Sequence, residues 1–193
     1  MASKSNSCMK TTSKYTFFYT TASPFSQFYP VSFKVDDVQY SCAEQFMMHQ
    51  KAVLFNDEEH AELILQAHKP GQMKAFGRKV RNFDEKIWNE NREKIVKKGN
   101  LGKFSQNADI KKTLLATKGT TLVEASPRDR IWGIGLSVNN PAAENKEMWK
   151  GSNLLGYIIT DVRDTLLADE EDRKTTEESS GKRKKMSLEQ CCS

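Results

Sequence analysis

This chain is short of histidine, of glycine motifs and of long apolar runs, and each shortage closes off a chemistry. Its 193 residues include three histidines, His49, His60 and His68. None has a carboxylate or cysteine partner at metal-ligand spacing, so no metal or other cofactor is expected and each histidine is read as a surface helix residue. Cys8, Cys42, Cys191 and Cys192 show no disulfide-framework spacing, and three of the four fall near the chain ends, which suggests a reducing compartment. Gly133-Ile-Gly135 lacks the third glycine of a dinucleotide loop, and Gly99-Asn-Leu-Gly102 lacks the Lys-Ser/Thr of a phosphate loop. There is also no nucleophile elbow, which sets aside the elbow-type serine hydrolases. No apolar run is long enough to span a bilayer and no signal-peptide core opens the chain, so no membrane association is expected. Gln190 stands where a prenylation box would need cysteine.

Charge is ordinary in amount and uneven in placement. The formal net charge is +5. Three lysines in residues 1–14 contribute +3, and residues 168–193, with six basic and seven acidic side chains, contribute −1, which leaves +3 on 15–167. Both end segments lack apolar periodicity and cannot bury enough surface to order themselves. The expected organisation is therefore a disordered N-terminal tail, 1–14, one domain over 15–167, and a disordered charged tail, 168–193. A cytoplasmic location is the expectation. Lys182-Arg-Lys-Lys185 could serve nuclear import, although a solvated charge run is the commoner reading.

Within the domain, Tyr15 to Tyr19 has strand composition, and Ser23-Pro-Phe-Ser-Gln-Phe-Tyr-Pro30 reads as an ordered loop with aromatic anchors. Ser32 to Tyr40 suggests a short hairpin turning at Asp36-Asp37. Ser41 followed by Glu44 fits a capping box at the start of a helix carrying Phe46, Met47, Val53 and Leu54. Asp57 caps a second helix, limited by Pro70, and Gly71 to Lys79 is a short helical piece whose Lys74, Arg78 and Lys79, with Arg81, form a basic patch that could hold phosphate, a solvated face being the commoner explanation. Asp84 caps the next helix, on which Ile87, Trp88, Ile95 and Val96 make an apolar stripe, and Gly99 is expected to end it. Asn107 caps another as far as Gly119. A strand is expected near 120–125, Pro141 to Trp149 is weakly helical, and Asn153 caps a last helix with a wide buried face. The sum is a mainly α, orthogonally packed domain with a few short β-strands.

Chemistry concentrates in Glu124-Ala-Ser-Pro-Arg-Asp-Arg-Ile-Trp-Gly-Ile-Gly135, which sets two carboxylates, two arginines and a tryptophan on a turn after the expected strand. Asp129 between two arginines reads equally well as a surface ion-pair patch, and Trp132 as core. Glu44 has a structural explanation as a cap and a chemical one, a carboxylate held ionised by a helix N-terminus to face a cationic transition state. Carboxylates, tryptophans and basic residues without a metal suit an enzyme that stabilises an oxocarbenium-like sugar cation, and they suit a nucleotide-binding pocket equally.

Ser23-Pro-Phe-Ser-Gln-Phe-Tyr-Pro, Ser41-Cys-Ala-Glu-Gln-Phe with Lys51-Ala52, Lys103-Phe104 with Gln106-Asn107, Leu122-Val-Glu-Ala, Asp129-Arg-Ile-Trp-Gly-Ile-Gly-Leu and Trp149-Lys-Gly-Ser-Asn-Leu-Leu-Gly together resemble the YbiA-like, or NADAR, family. The resemblance runs in order from about Phe17 to Leu166. It implies a mainly helical N-glycosidase, a hydrolase that cleaves the bond between ribose and base in early riboflavin-pathway intermediates or removes ADP-ribose from modified guanine, free or within nucleic acid. Carried over by motif, Glu44 matches the family's active-site glutamate, Asp129 its aspartate and Trp88 its tryptophan. Trp132, Phe28, Gln27 and Asn153 are then expected around base or sugar, and Lys51, Arg78 and Lys103 at phosphates. Gln45 stands where the family commonly has histidine, and Gln27 where it commonly has asparagine, which touches substrate choice more than reaction class. The competing reading is a non-catalytic ADP-ribose or nucleotide-binding module, indifferent to Glu44→Gln.

Overall fold

The computed structural model describes residues 8–190, with side chains described as far as Arg173 and at Thr175 and Thr176. Cys191, Cys192 and residues 1–7 lie outside the described residues, as do the side chains of the Lys182–Lys185 patch. Along the chain run strands β1 (Met9–Thr11), β2 (Tyr15–Phe18), β3 (Phe33–Val35) and β4 (Val38–Tyr40), helices α1 (Ala43–Leu54), α2 (Glu58–Gln66), α3 (Pro70–Gly77), α4 (Glu85–Ser105) and α5 (Ala108–Leu115), strand β5 (Thr121–Glu124), two 3₁₀ turns (Pro141–Glu144 and Lys146–Met148), and helix α6 (Leu154–Gln190).

Local chemistry accounts for most of these boundaries. Asp36 and Asp37 both take left-handed backbone, φ 48° and 64°, which is what a two-residue hairpin turn between β3 and β4 requires. Asp57 accepts the His60 N–H and Asp84 the Ile87 N–H, which caps α2 and α4. Pro70 does more than limit α2, because it opens α3 in the first turn, where a missing N–H costs nothing.

β2 lies at the centre of a three-stranded sheet, antiparallel to β1 and parallel to β5, with Tyr15 opposite Thr121 and Phe18 opposite Glu124. A parallel pair needs a long crossover. Here helices α1 to α5 supply it, so the C-terminal end of β5 is delivered beside the loop that follows β2. Helix α1 packs against α2, α3 and α4, while α6 covers β5 and α4. The main core gathers Phe18, Phe25, Met47, Phe104, Leu122 and Ile159, all buried.

Four expectations change. Gly99 does not end α4, which continues to Ser105; a Cβ there would run into the buried Phe46 ring, so the glycine serves close helix packing. His49 is buried rather than exposed, and its Nδ1 meets the Tyr40 hydroxyl at 3.0 Å. Residues 9–11 of the segment read as a tail form β1, paired with Thr16–Phe18. α6 likewise runs through the segment read as a charged tail, to Gln190, and its Glu170 and Glu171 reach Lys111 and Lys118 at 2.7 and 3.4 Å. Acidic residues that composition assigns to solvent thus find partners within α5 and just beyond it.

Candidate active site

The fold leaves a cleft of about 580 Å³ where α1, α3 and α4 face the loop after β2 and the segment after β5. A volume of that order suits a small-molecule ligand. Of the residues expected at a site, Glu44, Asp129, Trp88, Trp132, Lys51, Arg78, Phe28 and Gln27 line it.

Glu44 reaches the cleft because it is not the cap. The N-cap of α1 is Cys42, in extended backbone and without a side-chain cap bond. Gln45 makes the returning contact instead: its Oε1 accepts the Ser41 N–H at 2.8 Å and hydroxyl at 3.0 Å, and its Nε2 donates to Ile64 O and Leu65 O. Gln45 is therefore spent on tying α1 to α2. Glu44 donates its own N–H to Gln27 O, and its side chain is left buried with Oε1 lacking any hydrogen-bond partner. Burial pushes this carboxyl up to about 7, against the pull of Lys74 and Arg78 and with a further push from Asp129. Desolvation thus works against the ionised form that a helix N-terminus favours.

Asp129 is fixed by its own loop. Oδ1 accepts the N–H groups of Ile131 at 2.9 Å and Trp132 at 2.8 Å, and Asp129 O accepts from Gly135, whose φ of 67° lets the chain double back. These bonds also set the Trp132 ring in the cleft wall, with the Arg92 guanidinium 5.8 Å from its centroid. The surface ion-pair reading of Asp129 finds no support, since the salt bridges among the described residues do not include it.

Opposite stand the cations. Lys51 Nζ donates to Gly77 O at 2.8 Å and lies 4.1 Å from the Phe83 ring and 5.8 Å from that of Trp88, and burial lowers its pKa. Lys74, a member of the basic patch, lines the cleft and sits 5.8 Å from the Phe28 ring. The Gln27 amide exchanges hydrogen bonds with Asn100 at 3.1 and 3.4 Å, so its side chain is held on the α4 side.

Two expected ligand contacts are structural. Asn153, fully buried with φ 53°, donates Nδ2 to Leu122 O and accepts the Glu124 N–H on Oδ1, which clamps α6 to β5 away from the cleft lining. Lys103 is also fully buried and donates Nζ to Ser26 O at 2.8 Å, so it supports the cleft loop from behind instead of meeting phosphate. Desolvation lowers it to about 7. A lysine whose folded pKa lies below its unfolded value near 10.5 binds fewer protons when folded, so its contribution to stability rises with pH between the two. Lys103→Met should flatten the rise in melting temperature between pH 7 and 10.5; a variant curve parallel to the parent's would show that the amine stays charged in the fold.

The residue missed is Glu124. It closes β5, lines the cleft, and has a buried Oε2 with no hydrogen-bond partner. Desolvation first, then Asp129, raises it to about 8, Lys74 opposing and Glu44 adding to the rise. Its position at a strand end within Leu122-Val-Glu-Ala was a signal available in the sequence. Beside it Thr20, a β-branched residue at φ 77°, lines the same cleft in backbone that such residues rarely adopt, and strain of this kind clusters at functional sites. Among the described residues no group of three or more His, Cys, Asp or Glu side chains is placed to hold a metal ion, and no helix is long and apolar enough to cross a membrane.

A helical domain whose cleft gathers three carboxyl groups, two tryptophans and three cations is the class that this geometry defines. The chain belongs to the NADAR domain family, whose match covers residues 16–167. It is 44% identical over 145 residues to N-glycosidase R617 of Acanthamoeba polyphaga mimivirus, covering 72% of this chain and 85% of that protein. It is 37% identical over 183 residues to Protein irg-1 of Caenorhabditis elegans, covering 86% of each. N-glycosidase YbiA of Escherichia coli (strain K12) is 31% identical over 152 residues, 77% of this chain and 86% of that one. The NMR structure of the E. coli protein YbiA superposes with a TM-score of 0.68 at 27% identity, over 86% of this chain and 92% of that chain. The fold is thus YbiA-like, and the relatives named by activity are N-glycosidases.

Proposed function

We propose that the chain is an N-glycosidase that hydrolyses the bond between C1′ of a phosphorylated ribose and the nitrogen of a base. The observation that carries this reading is Glu44: a buried carboxyl with an unpartnered oxygen in a cleft shared with Asp129, Glu124 and two tryptophan rings. Loss of the base leaves positive charge on the sugar, and fixed carboxylates stabilise it without metal or cofactor. A group near 7 suits a base that takes a proton from the attacking water at neutral pH. Asp129, held by two backbone N–H groups, meets ribose hydroxyls or the same water, while Trp88 and Trp132 flank the planar base. Lys74 and Arg78, with Lys51 behind them, supply the charge a phosphate needs. The substrate is a ribosylaminopyrimidine phosphate or an ADP-ribosylated guanine.

Incubation with each of these, followed by mass spectrometry of released base and sugar, tests the reading. Turnover of at least one, reduced about 100-fold or more in Asp129→Asn, is expected. Failure to turn over either substrate, with ADP-ribose bound equally by parent and variant, would make the chain a binding module.

A further inference from the structure

Three carboxyl groups share the cleft, and the proposed reaction as described uses two of them. The third, Glu124, has no structural duty for its side chain. Its backbone N–H is taken by Asn153 Oδ1 and its carbonyl by the Ile134 N–H, so the strand end is pinned on both sides without help from the carboxyl. Oε2 is nevertheless buried and unpartnered at the cleft wall. A buried acid oxygen without a partner carries a desolvation cost that the fold gains nothing from. A proton bound there removes much of that cost and makes the oxygen a donor.

The charged and titratable side chains lining the cleft are Tyr19 after β2, Glu44 and Lys51 on α1, Lys74 on α3 and Arg78 at its end, and Asp129 after β5. Of these, Asp129 and Glu44 favour the protonated form of Glu124 and Lys74 opposes it. The β2 residue paired with Glu124 is Phe18; Asn153 before α6 and Thr160 on it bond β5 and are uncharged, and the charged Arg163 of α6 bonds Thr117 O and Thr120 O at the opposite end of the strand. Two cations, Lys74 and Arg78, pull on Glu44 and only Lys74 pulls on Glu124, so of the two buried carboxyl groups Glu124 is the one whose surroundings favour keeping the proton. When two carboxyl groups in one site are separated in this direction, the higher is suited to give a proton and the lower to take one.

We propose that Glu124 is the proton donor to the leaving nitrogen of the base. The proposal rests on the N-glycosidase reading above. As the C1′–N bond breaks, its electron pair passes to the nitrogen, which takes the proton from Glu124 Oε2 and departs as the neutral base. Water adds its oxygen to C1′ and gives a proton to Glu44. Transfer of that proton to solvent and uptake of one by Glu124 restore the site.

The test compares Glu124→Gln with the parent on whichever base-ribose substrate the parent cleaves, and on p-nitrophenyl ribofuranoside 5-phosphate, whose nitrophenolate leaves without a proton. A loss of about 10²- to 10⁴-fold in kcat/KM on the first substrate is expected. On the nitrophenyl substrate the loss should stay below about tenfold, since general-acid help is not needed there. The parent's fall in kcat/KM as pH rises through about 8 should be absent from Glu124→Gln. Glu124→Asp, which keeps an acid at shorter reach, should be slower but retain that fall, and it serves if the glutamine variant does not fold. Equal losses on both substrates, or an unchanged pH profile in Glu124→Gln, would overturn the assignment while leaving the glycosidase reading intact. A parent inactive on every substrate would remove both.

Discussion

Glu44→Gln should eliminate turnover and, at the same time, make the protein harder to unfold above neutral pH. The two effects have one cause. The carboxyl is buried with one oxygen unpartnered, and burial raises it to about 7 from its ordinary 4.5. Between those values the folded protein holds a proton that the unfolded chain has released, so stability falls as pH rises through the window and levels off above it. At about 1.4 kcal/mol for each pH unit between the two values, the ionised carboxyl costs roughly 3 kcal/mol at pH 8. Glutamine keeps the shape and removes the charge. Denaturation at pH 8 should show the variant more stable by up to that amount, and at pH 4.5 the two should coincide. Catalysis should fall about 10³-fold or more, since the amide can neither take a proton from water nor offset charge on the sugar. A stability difference independent of pH would mean that folding leaves the Glu44 carboxyl at its unfolded value, and burial would not be what poises it near neutrality as the base.

Where the sequence misled, a residue had two partners within reach and spacing could not choose between them. Ser41 and Glu44 satisfy the capping-box pattern, yet Gln45 takes the Ser41 N–H because α2 lies alongside and offers its last carbonyls to the same amide. That one-residue difference turns Glu44 from a cap into a cleft residue. Gly99 looks like a helix stop until Phe46, 53 positions earlier, is packed against it. Lys103 and Asn153 belong to the motifs of the site, but their side chains point to Ser26 O and to β5, and only the packing of α4 and α6 reveals this. What was legible depends on local rules: Asp57 and Asp84 as caps, the Asp36-Asp37 turn, the strand before Glu124, and the aromatic loop anchored by Phe25. Glu124 lies within the Leu122-Val-Glu-Ala motif. Its importance comes from Glu44 and Asp129 crowding the same cleft, an electrostatic fact that no linear pattern contains.

Gly156→Ala should be among the most destabilising single-methyl additions, and it should cost activity too. A Cβ at this position of α6 would fall well inside contact distance of Leu122 O and 2.6 Å from Asn153 Nδ2. Neither neighbour can yield. Leu122 belongs to β5, which is held in register by β2 on its far side, and the Asn153 amide bridges Leu122 O and the Glu124 N–H. The helix must therefore lift from the sheet, opening the packing of the buried Leu122 and Leu155. Overpacking against backbone costs about 3 kcal/mol, more than the gain of roughly 1 kcal/mol that alanine brings to a helix interior. With about 2 kcal/mol left after that offset, the melting temperature of a domain of this size should drop by about 4–8 °C. Activity should fall in the fraction that stays folded, because Asn153 also sets the strand end from which Glu124 enters the cleft. Gly71→Ala is the control: nothing lies within 4 Å of its Cβ, so that variant should melt at or slightly above the parent temperature. If Gly156→Ala melted with Gly71→Ala, α6 would have room to move on β5, and the clamp at Asn153 would not be what fixes Glu124.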